Sequence, residues 1–157
     1  MPNWCENTLT VKGPNKTVKK FIKTAKARGT ALSLNKFVPM PADLENTRAP
    51  SLNATKHQRA QNKRLRNKYG FDNWYDWRLH HWGIKWDVTA ELVENIIGYA
   101  SYLFDSPWGP PETWLDTIAK QFPDLKFTLK YSEPGMGFHG CRIVKNTKII
   151  HDAYYVN

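Results

Sequence analysis

The chain has only two cysteines, Cys5 and Cys141, among 157 residues. Two thiols are too few for a disulfide framework, and an iron–sulfur cluster needs four thiolates. In a reducing cytosol we expect both to be buried as small apolar side chains. His139 lies two residues before Cys141 and could share a strand face with it, but no C-x-x-C or H-x-x-x-H pair accompanies them. The sequence therefore predicts no metal site and no cofactor.

Long apolar runs are also missing, and none of the apolar stretches could cross a bilayer. The first residues, MPNWCENT, lack the basic and then apolar layout of a signal peptide. We therefore expect a cytosolic protein. With 41% hydrophobic and 13% aromatic residues the chain is not disordered, and residues 1–157 fit a single domain.

Acidic residues are scarce in the first part of the chain. Residues 1–70 contain 15 Lys and Arg against 3 acids, a net charge of +12, whereas residues 71–157 contain 8 against 11, a net of −3. This asymmetry points to an anionic partner, either nucleic acid or an acidic protein surface. The predicted binding residues of this basic surface are Lys16, Lys19, Lys20, Lys23, Lys26, Arg28, Lys56, Arg59, Lys63, Arg64, Arg66 and Lys68.

These basic residues fall in two segments. Residues 16–28 have apolar side chains at helical spacing with lysines around them, which predicts an amphipathic helix whose lysines contact either solvent or a partner. Residues 53–68 have no acid and one large apolar side chain, Leu65. We interpret them as a partly helical basic arm that either solubilises the protein or binds phosphates. The arm and the next segment form a predicted insertion, residues 42–83.

The densest aromatic stretch is YGFDNWYDWRLHHWGIKWD, residues 69–87, with four of the seven tryptophans. Asp72 as N-cap and Gly83 after the last turn predict a short helix over residues 73–82. Asp76 and His80 are spaced to form a pair on it. Its aromatic side chains either pack as a structural plug or remain exposed for stacking or protein binding. The candidate binding residues are Trp74, Tyr75, Trp77, Arg78, Trp82 and Trp86.

Four blocks of the chain resemble one known family. They are MPNWCENTLTVKG, WYDWRLHHWGIKWD, SPWGPPETW and YSEPGMGFHG. They are similar to the YubB-like family of phage and conjugative-plasmid proteins with a ferredoxin-like domain. The chain departs from that pattern at His80, His81 and Ile84 and over residues 46–68. The resemblance implies a fold and a mobile-element setting, and it implies no activity and no catalytic residues.

Periodicity predicts the same fold independently. Alternating patterns predict strands at 6–12, 84–93 and 125–132. The turns between them predict further strands at 99–104, 138–144 and 148–155, and residues 31–38 are interpreted as a short strand or edge segment. Helical spacing predicts a second amphipathic helix at 112–122. Without the insertion the order is strand, helix, strand, strand, helix, strand and a C-terminal hairpin. This is the split β-α-β order of a ferredoxin-like α+β fold, with an antiparallel sheet and two helices on one face.

Three functions are compatible with these patterns. An enzyme, such as a small hydrolase using Asp76, His80 and His81, could also draw on Arg78 and Glu133 as acids and bases. However, the chain has no phosphate loop, nucleophile elbow or metal-ligand spacing. A sequence-tolerant nucleic-acid-binding protein would use the basic half and the tryptophan-rich segment, although residues 137–143 match the strand signature of RNA-binding domains poorly. We favour a non-catalytic phage or plasmid protein, an accessory or anti-defence factor that binds a host protein or nucleoprotein complex.

Overall fold

A computed structural model describes all residues, 1–157. Its strands are β1 (Trp4–Lys12), β2 (Ala90–Ile96), β3 (Tyr99–Pro107), β4 (Lys126–Glu133), β5 (Phe138–Lys145) and β6 (Lys148–Val156). Its α-helices are α1 (Asn15–Ala25), α2 (Lys56–Tyr69), α3 (Trp74–Trp82) and α4 (Glu112–Gln121), and single 3-10 turns lie at Leu34–Lys36 and Ala42–Leu44. No helix is both long and apolar enough to cross a membrane.

The six strands form one antiparallel sheet in the order β2-β3-β1-β4-β5-β6. The first four positions, β2-β3-β1-β4, are those of a split β-α-β fold, and the β5–β6 hairpin extends the sheet beyond β4. The predicted ferredoxin-like class is confirmed. Residues alternate along β1, so that Cys5, Asn7, Leu9 and Val11 face the helices while Glu6, Thr8 and Thr10 face outward.

The core lies between the sheet and the two amphipathic helices. Helix α1 buries Val18, Phe21 and Ala25, and α4 buries one apolar stripe that includes Trp114 and Leu115. The Phe21 ring packs near those of Phe37, Tyr102, Phe122 and Phe127, with ring centroids 4.8 to 6.1 Å apart. Aromatic burial of this extent is the main favourable contribution to folding of such a core.

Residues 31–38 do not form a strand, so this prediction is wrong. This segment contains the turn Leu34–Lys36 and packs over the helices instead of joining the sheet. Its polar backbone groups are satisfied by side chains, since the Asp87 carboxylate accepts from the Leu34 N–H at 2.7 Å and the Trp114 indole N–H donates to the Leu34 carbonyl at 3.1 Å. A segment with such partners does not need a strand ladder.

The same Asp87 contact explains a second error. The strand predicted at 84–93 starts only at Ala90, because residues before it are held against the 33–35 segment by Asp87. A bulge between Leu92 and Glu94 then shifts the alternation, and the strand continues to Ile96, three residues beyond its predicted end at residue 93. Helix α1 also ends earlier than predicted, at Ala25.

Candidate functional site

The lysines of α1 form an exposed basic face. Lys16, Lys19, Lys20, Lys23 and Lys26 all lie on the solvent side of the buried apolar stripe, and Arg28 follows in the next turn. None of them has a carboxylate within 4.0 Å, since the five ion pairs of the protein involve other residues. The charge of this face is therefore free to act on a partner.

The basic arm is helix α2, and its predicted helical character is confirmed. Thr55 and Gln58 form a reciprocal capping box at its start, and Gly70 ends it in the left-handed conformation. Leu65 is its only buried residue. Two of the six predicted basic residues pair within the protein, Arg66 with Asp72 and Lys68 with Asp43. The four that keep exposed, unpaired charges are Lys56, Arg59, Lys63 and Arg64.

Helix α3 buries much of the aromatic segment. Trp77 and Trp82 are only 5% and 1% exposed, so the prediction that they offer a stacking surface is wrong. The Trp82 indole N–H donates to the Val38 carbonyl at 2.9 Å, which ties α3 to the packed 31–44 segment. Trp74, Tyr75 and Arg78 are half-buried. The Arg78 guanidinium lies between the Trp74 and Trp82 rings, about equally far from both, and belongs to this packing.

The start of α3 also differs from the prediction. Asn73 is the N-cap, and its side-chain oxygen accepts from the Asp76 N–H at 2.9 Å. Asp72 is occupied by its ion pair with Arg66. The predicted contact of Asp76 with His80 is absent, because the Asp76 carboxylate accepts from the Asn73 side-chain amide at 2.9 Å.

Three half-exposed tryptophans meet at one end of the sheet, and we call them the tryptophan trio: Trp4, Trp86 and Trp108. They are 45%, 39% and 47% exposed. The ring centroids of Trp4 and Trp86 are 6.2 Å apart. The Lys85 ammonium joins the other pair, since it lies 4.3 Å from the Trp86 ring centroid and 3.9 Å from the Trp108 ring centroid.

The trio is assembled by the register of the sheet. Trp4 starts β1 opposite Pro107, the last residue of β3, which brings Trp108 beside it. Trp86 arrives from the segment between α3 and β2. Among these three only Trp86 is a predicted binding residue. Trp4 and Trp108 lie 104 positions apart in the chain, and only the β1–β3 pairing, which sequence periodicity does not specify, could have revealed them.

The loop that carries Trp108 is held in an unusual conformation. Trp108 has a φ of 66°, in the left-handed region that costs a non-glycine residue about 1–2 kcal/mol. Its N–H donates to the Asn3 carbonyl at 2.8 Å. Ser106 supports the turn, because its hydroxyl donates to the Gly109 carbonyl at 2.6 Å and accepts from the Asn7 amide at 2.8 Å. Strain maintained by several contacts is characteristic of functional positions.

The residues considered for catalysis have structural partners. The His81 ring stacks near Trp77 with centroids 4.2 Å apart, and burial together with nearby His80 lowers the pKa of His81. The Glu133 carboxylate is buried and accepts from the Gly135 and Met136 N–H groups, so it caps the β4–β5 turn. No three His, Cys, Asp or Glu side chains converge as metal ligands would.

The two cysteines differ in environment. Cys5 is buried, and burial together with the nearby Glu133 raises the pKa of its thiol to about 12. Cys141 is only partly buried, on the outward face of β5, so the expectation that both are buried is wrong for this residue. Strand β5 is near the edge of the sheet and its outward face has no helix above it, which leaves the Cys141 thiol accessible.

The C-terminal half of the chain has a recognisable counterpart. Residues 81–155 match a family model described as the ferredoxin-like domain in Api92-like protein. The match contains the SPWGPPETW and YSEPGMGFHG blocks, strands β2 to β6 and helix α4. The match does not include β1 and α1, which in this protein complete the same sheet and helix layer.

A solved structure resembles the whole chain. The crystal structure of a protein Api92 from Yersinia pseudotuberculosis covers 100% of this chain, which in turn covers 99% of that chain, with a TM-score of 0.62 and 11% sequence identity. At this identity the similarity to Api92 concerns the fold alone. No curated protein matches this chain.

Proposed function

We propose that the protein is a non-catalytic binding factor of a phage or conjugative plasmid, an accessory or anti-defence protein that binds a host protein in the bacterial cytoplasm. The observation that carries this proposal is the tryptophan trio. Tryptophan is the residue most enriched among those that dominate binding energy at protein interfaces. Three of them remain 39% to 47% exposed at one place, although four other tryptophans of the chain are packed more deeply.

The charges around the protein support a partner with an acidic surface. The free lysines of α1 and the four free charges of α2 would steer such a partner and raise its association rate. Steering charges act mainly on the rate of encounter, whereas buried aromatic anchors slow dissociation. The two features therefore have separable roles, with the basic surface attracting the partner and the trio holding it.

Affinity purification from a nuclease-treated host lysate tests the proposal. Wild-type protein is compared with Trp108→Ala and with Ile97→Ala, a matched control in which another exposed apolar side chain, 87% accessible, is removed. We expect one stoichiometric host protein with the wild type and the control, and a loss of at least tenfold with Trp108→Ala. Recovery of no protein, or equal recovery with all three, would contradict the proposal.

A second candidate is sequence-tolerant nucleic-acid binding by the basic N-terminal half. It is supported by ten exposed cationic side chains with no carboxylate partner, six from α1 and the turn after it and four from α2. Such binding must weaken steeply with salt. Material that disappears from the purification after nuclease treatment, or at higher salt, would favour this candidate over the protein partner.

A further inference from the structure

The face of the sheet opposite the helices is open to solvent. On β1 this face carries Glu6, Thr8, Thr10 and Lys12, and the outward residues of β3, β4, β5 and β6 continue it. Neither the basic surface of α1 and α2 nor the packing of α3 uses this face. Positive and negative side chains are separated on this face, with lysines at one end of the strands and acidic residues elsewhere.

Four lysines occupy one row at one end of the open face, and we call them the lysine row: Lys12, Lys126, Lys145 and Lys148. The register places Lys12 directly opposite Lys126, and Lys145 directly opposite Lys148. The pairing of Phe127 with Val144 puts Lys126 beside Lys145. Neighbouring strands are about 4.8 Å apart, so four positive charges lie side by side across β1, β4, β5 and β6.

The charges of the row are not balanced by the protein. None of the four lysines has a carboxylate within 4.0 Å. On the open face, Glu6 and Asp105 lie at the opposite end of the strands and Glu91 and Glu94 lie on the edge strand β2. Like charges directly opposite each other destabilise a sheet. A row that breaks this rule at two cross-strand pairs is characteristic of a functional surface.

Two local features hold and extend the row. The β5–β6 hairpin turns through Asn146 and Thr147, with φ values of 51° and 65°, which keeps Lys145 and Lys148 opposite each other. At the other end, α1 begins three residues after Lys12 with no acid and no side-chain cap in its first turn. The positive end of the helix dipole therefore adds to the same potential.

The side chains next to the row identify the kind of anion. In the adjacent positions of β1 and β4 lie Thr10 and Thr128, whose Cα positions face each other across the two strands. Lysine ammonium and threonine hydroxyl groups are typical phosphate contacts. The same two rows also carry Tyr99, opposite Lys12, and Ile143, opposite Thr128. One aromatic ring beside four lysines suits base stacking next to phosphate contacts better than it suits the apolar centre of a protein–protein interface. An open sheet face can accommodate an extended single strand of nucleic acid laid across it.

We propose that the lysine row binds the phosphate backbone of single-stranded nucleic acid on the open face of the sheet. This site is separate from the tryptophan trio and from the basic surface of α1 and α2, and it does not depend on the host-protein partner proposed above. Neutralising phosphates with four lysines predicts strongly salt-dependent binding, with little sequence preference.

Fluorescence anisotropy with labelled oligothymidylate and oligouridylate, at several salt concentrations, tests the site. The row variant carries Lys12→Gln, Lys126→Gln, Lys145→Gln and Lys148→Gln. The matched control carries Lys36→Gln, Arg48→Gln, Lys120→Gln and Lys130→Gln, which removes the same charge from exposed, unpaired positions outside the row and outside the basic surface of α1 and α2. We expect the row variant to bind at least tenfold more weakly at low salt, with a log–log salt slope shallower by about 2 to 3. The control variant should lose less than about threefold.

The row variant should remain folded, because removing opposed like charges raises rather than lowers the thermal midpoint. Absence of oligonucleotide binding by the wild type, equal losses in both variants, or a loss only in the control variant would overturn the proposal. So would competition by polyglutamate as effective as competition by an oligonucleotide of equal charge, since the row would then bind acidic protein segments.

Discussion

Gly140 on β5 lies directly against the phenol of Tyr131, its cross-strand partner on β4. A Cβ at position 140 would overlap the Tyr131 hydroxyl and stand 2.5 Å from the Ala153 carbonyl oxygen. The Tyr131 hydroxyl passes over this position, and burial together with the nearby Glu112 carboxylate on α4 raises its pKa. Gly140 therefore allows a tyrosine of the sheet to reach the helix layer.

Replacing this glycine should destabilise the protein. Gly140→Ala forces Tyr131 or the β6 backbone to move, and we expect the free energy of unfolding to fall by about 2–3 kcal/mol in urea denaturation, as for other overpacked sites. Gly109→Ala is the control, because a Cβ there meets nothing within 4 Å. A loss in Gly140→Ala no larger than in the control would contradict this packing.

Arg142 is the only cation among three carboxylates, and its removal should have a pH-dependent cost. It pairs with Glu112, Asp116 and Asp152 at 3.1, 2.9 and 3.1 Å. Arg142→Met should lower the free energy of unfolding by about 2 kcal/mol near pH 7, less than for a fully buried pair because Asp116 and Asp152 are 38% and 46% exposed.

The sign of the pH dependence follows from the carboxyl groups. Burial raises the pKa values of Glu112 and Asp116, an effect that Arg142 only partly offsets. Since these pKa values are higher in the folded state than in the unfolded state, the folded protein takes up protons first as the pH falls, which relieves the cost of their charges. The difference between Arg142→Met and wild type should therefore shrink towards about pH 4. Lys130→Met, which removes an exposed unpaired lysine, should show no such change.

His81 should make the protein less stable in weak acid. Burial, reinforced by His80, lowers the pKa of His81 below its usual value of 6.5. The unfolded chain therefore binds a proton before the folded protein does, and stability is lost as the pH falls below about 6.5. His81→Phe keeps an aromatic ring against Trp77 and should reduce this loss in thermal denaturation from about pH 7 to 5. Replacing the exposed His151 by Gln should leave it unchanged.

Thr147 occupies a backbone conformation that suits glycine. Its φ is 65°, and Asn146 before it also has a positive φ, so the turn is of the kind that Asn-Gly favours. Thr147→Gly should raise the free energy of unfolding by about 1 kcal/mol, because a β-branched residue is strained there. Thr128→Gly, in the middle of β4, should instead lower it. No gain in Thr147→Gly would show that the turn is not strained.

Much of the fold could be predicted because it depends on local periodicity. The alternation along β1 and β4 and the apolar stripes of α1 and α4 each follow from residues that are neighbours in the chain. Residues 31–38 were mispredicted as a strand because the Asp87 carboxylate, which is distant from them in the sequence, accepts two of their backbone N–H groups. The same contact holds residues 84–89 away from the sheet, so the strand predicted there begins later.

The sequence by itself determined the order of elements, the excess of positive charge before residue 70 and the basic character of the arm, because composition and periodicity do not depend on contacts. The tertiary structure decided which tryptophans remain exposed and which lysines stand side by side. Trp77 and Trp82 are buried by the 31–44 segment, α4 and their neighbours, whereas Trp4 and Trp108 meet through the β1–β3 register. The lysine row likewise exists only once four separate strands are paired, since no stretch of sequence contains it.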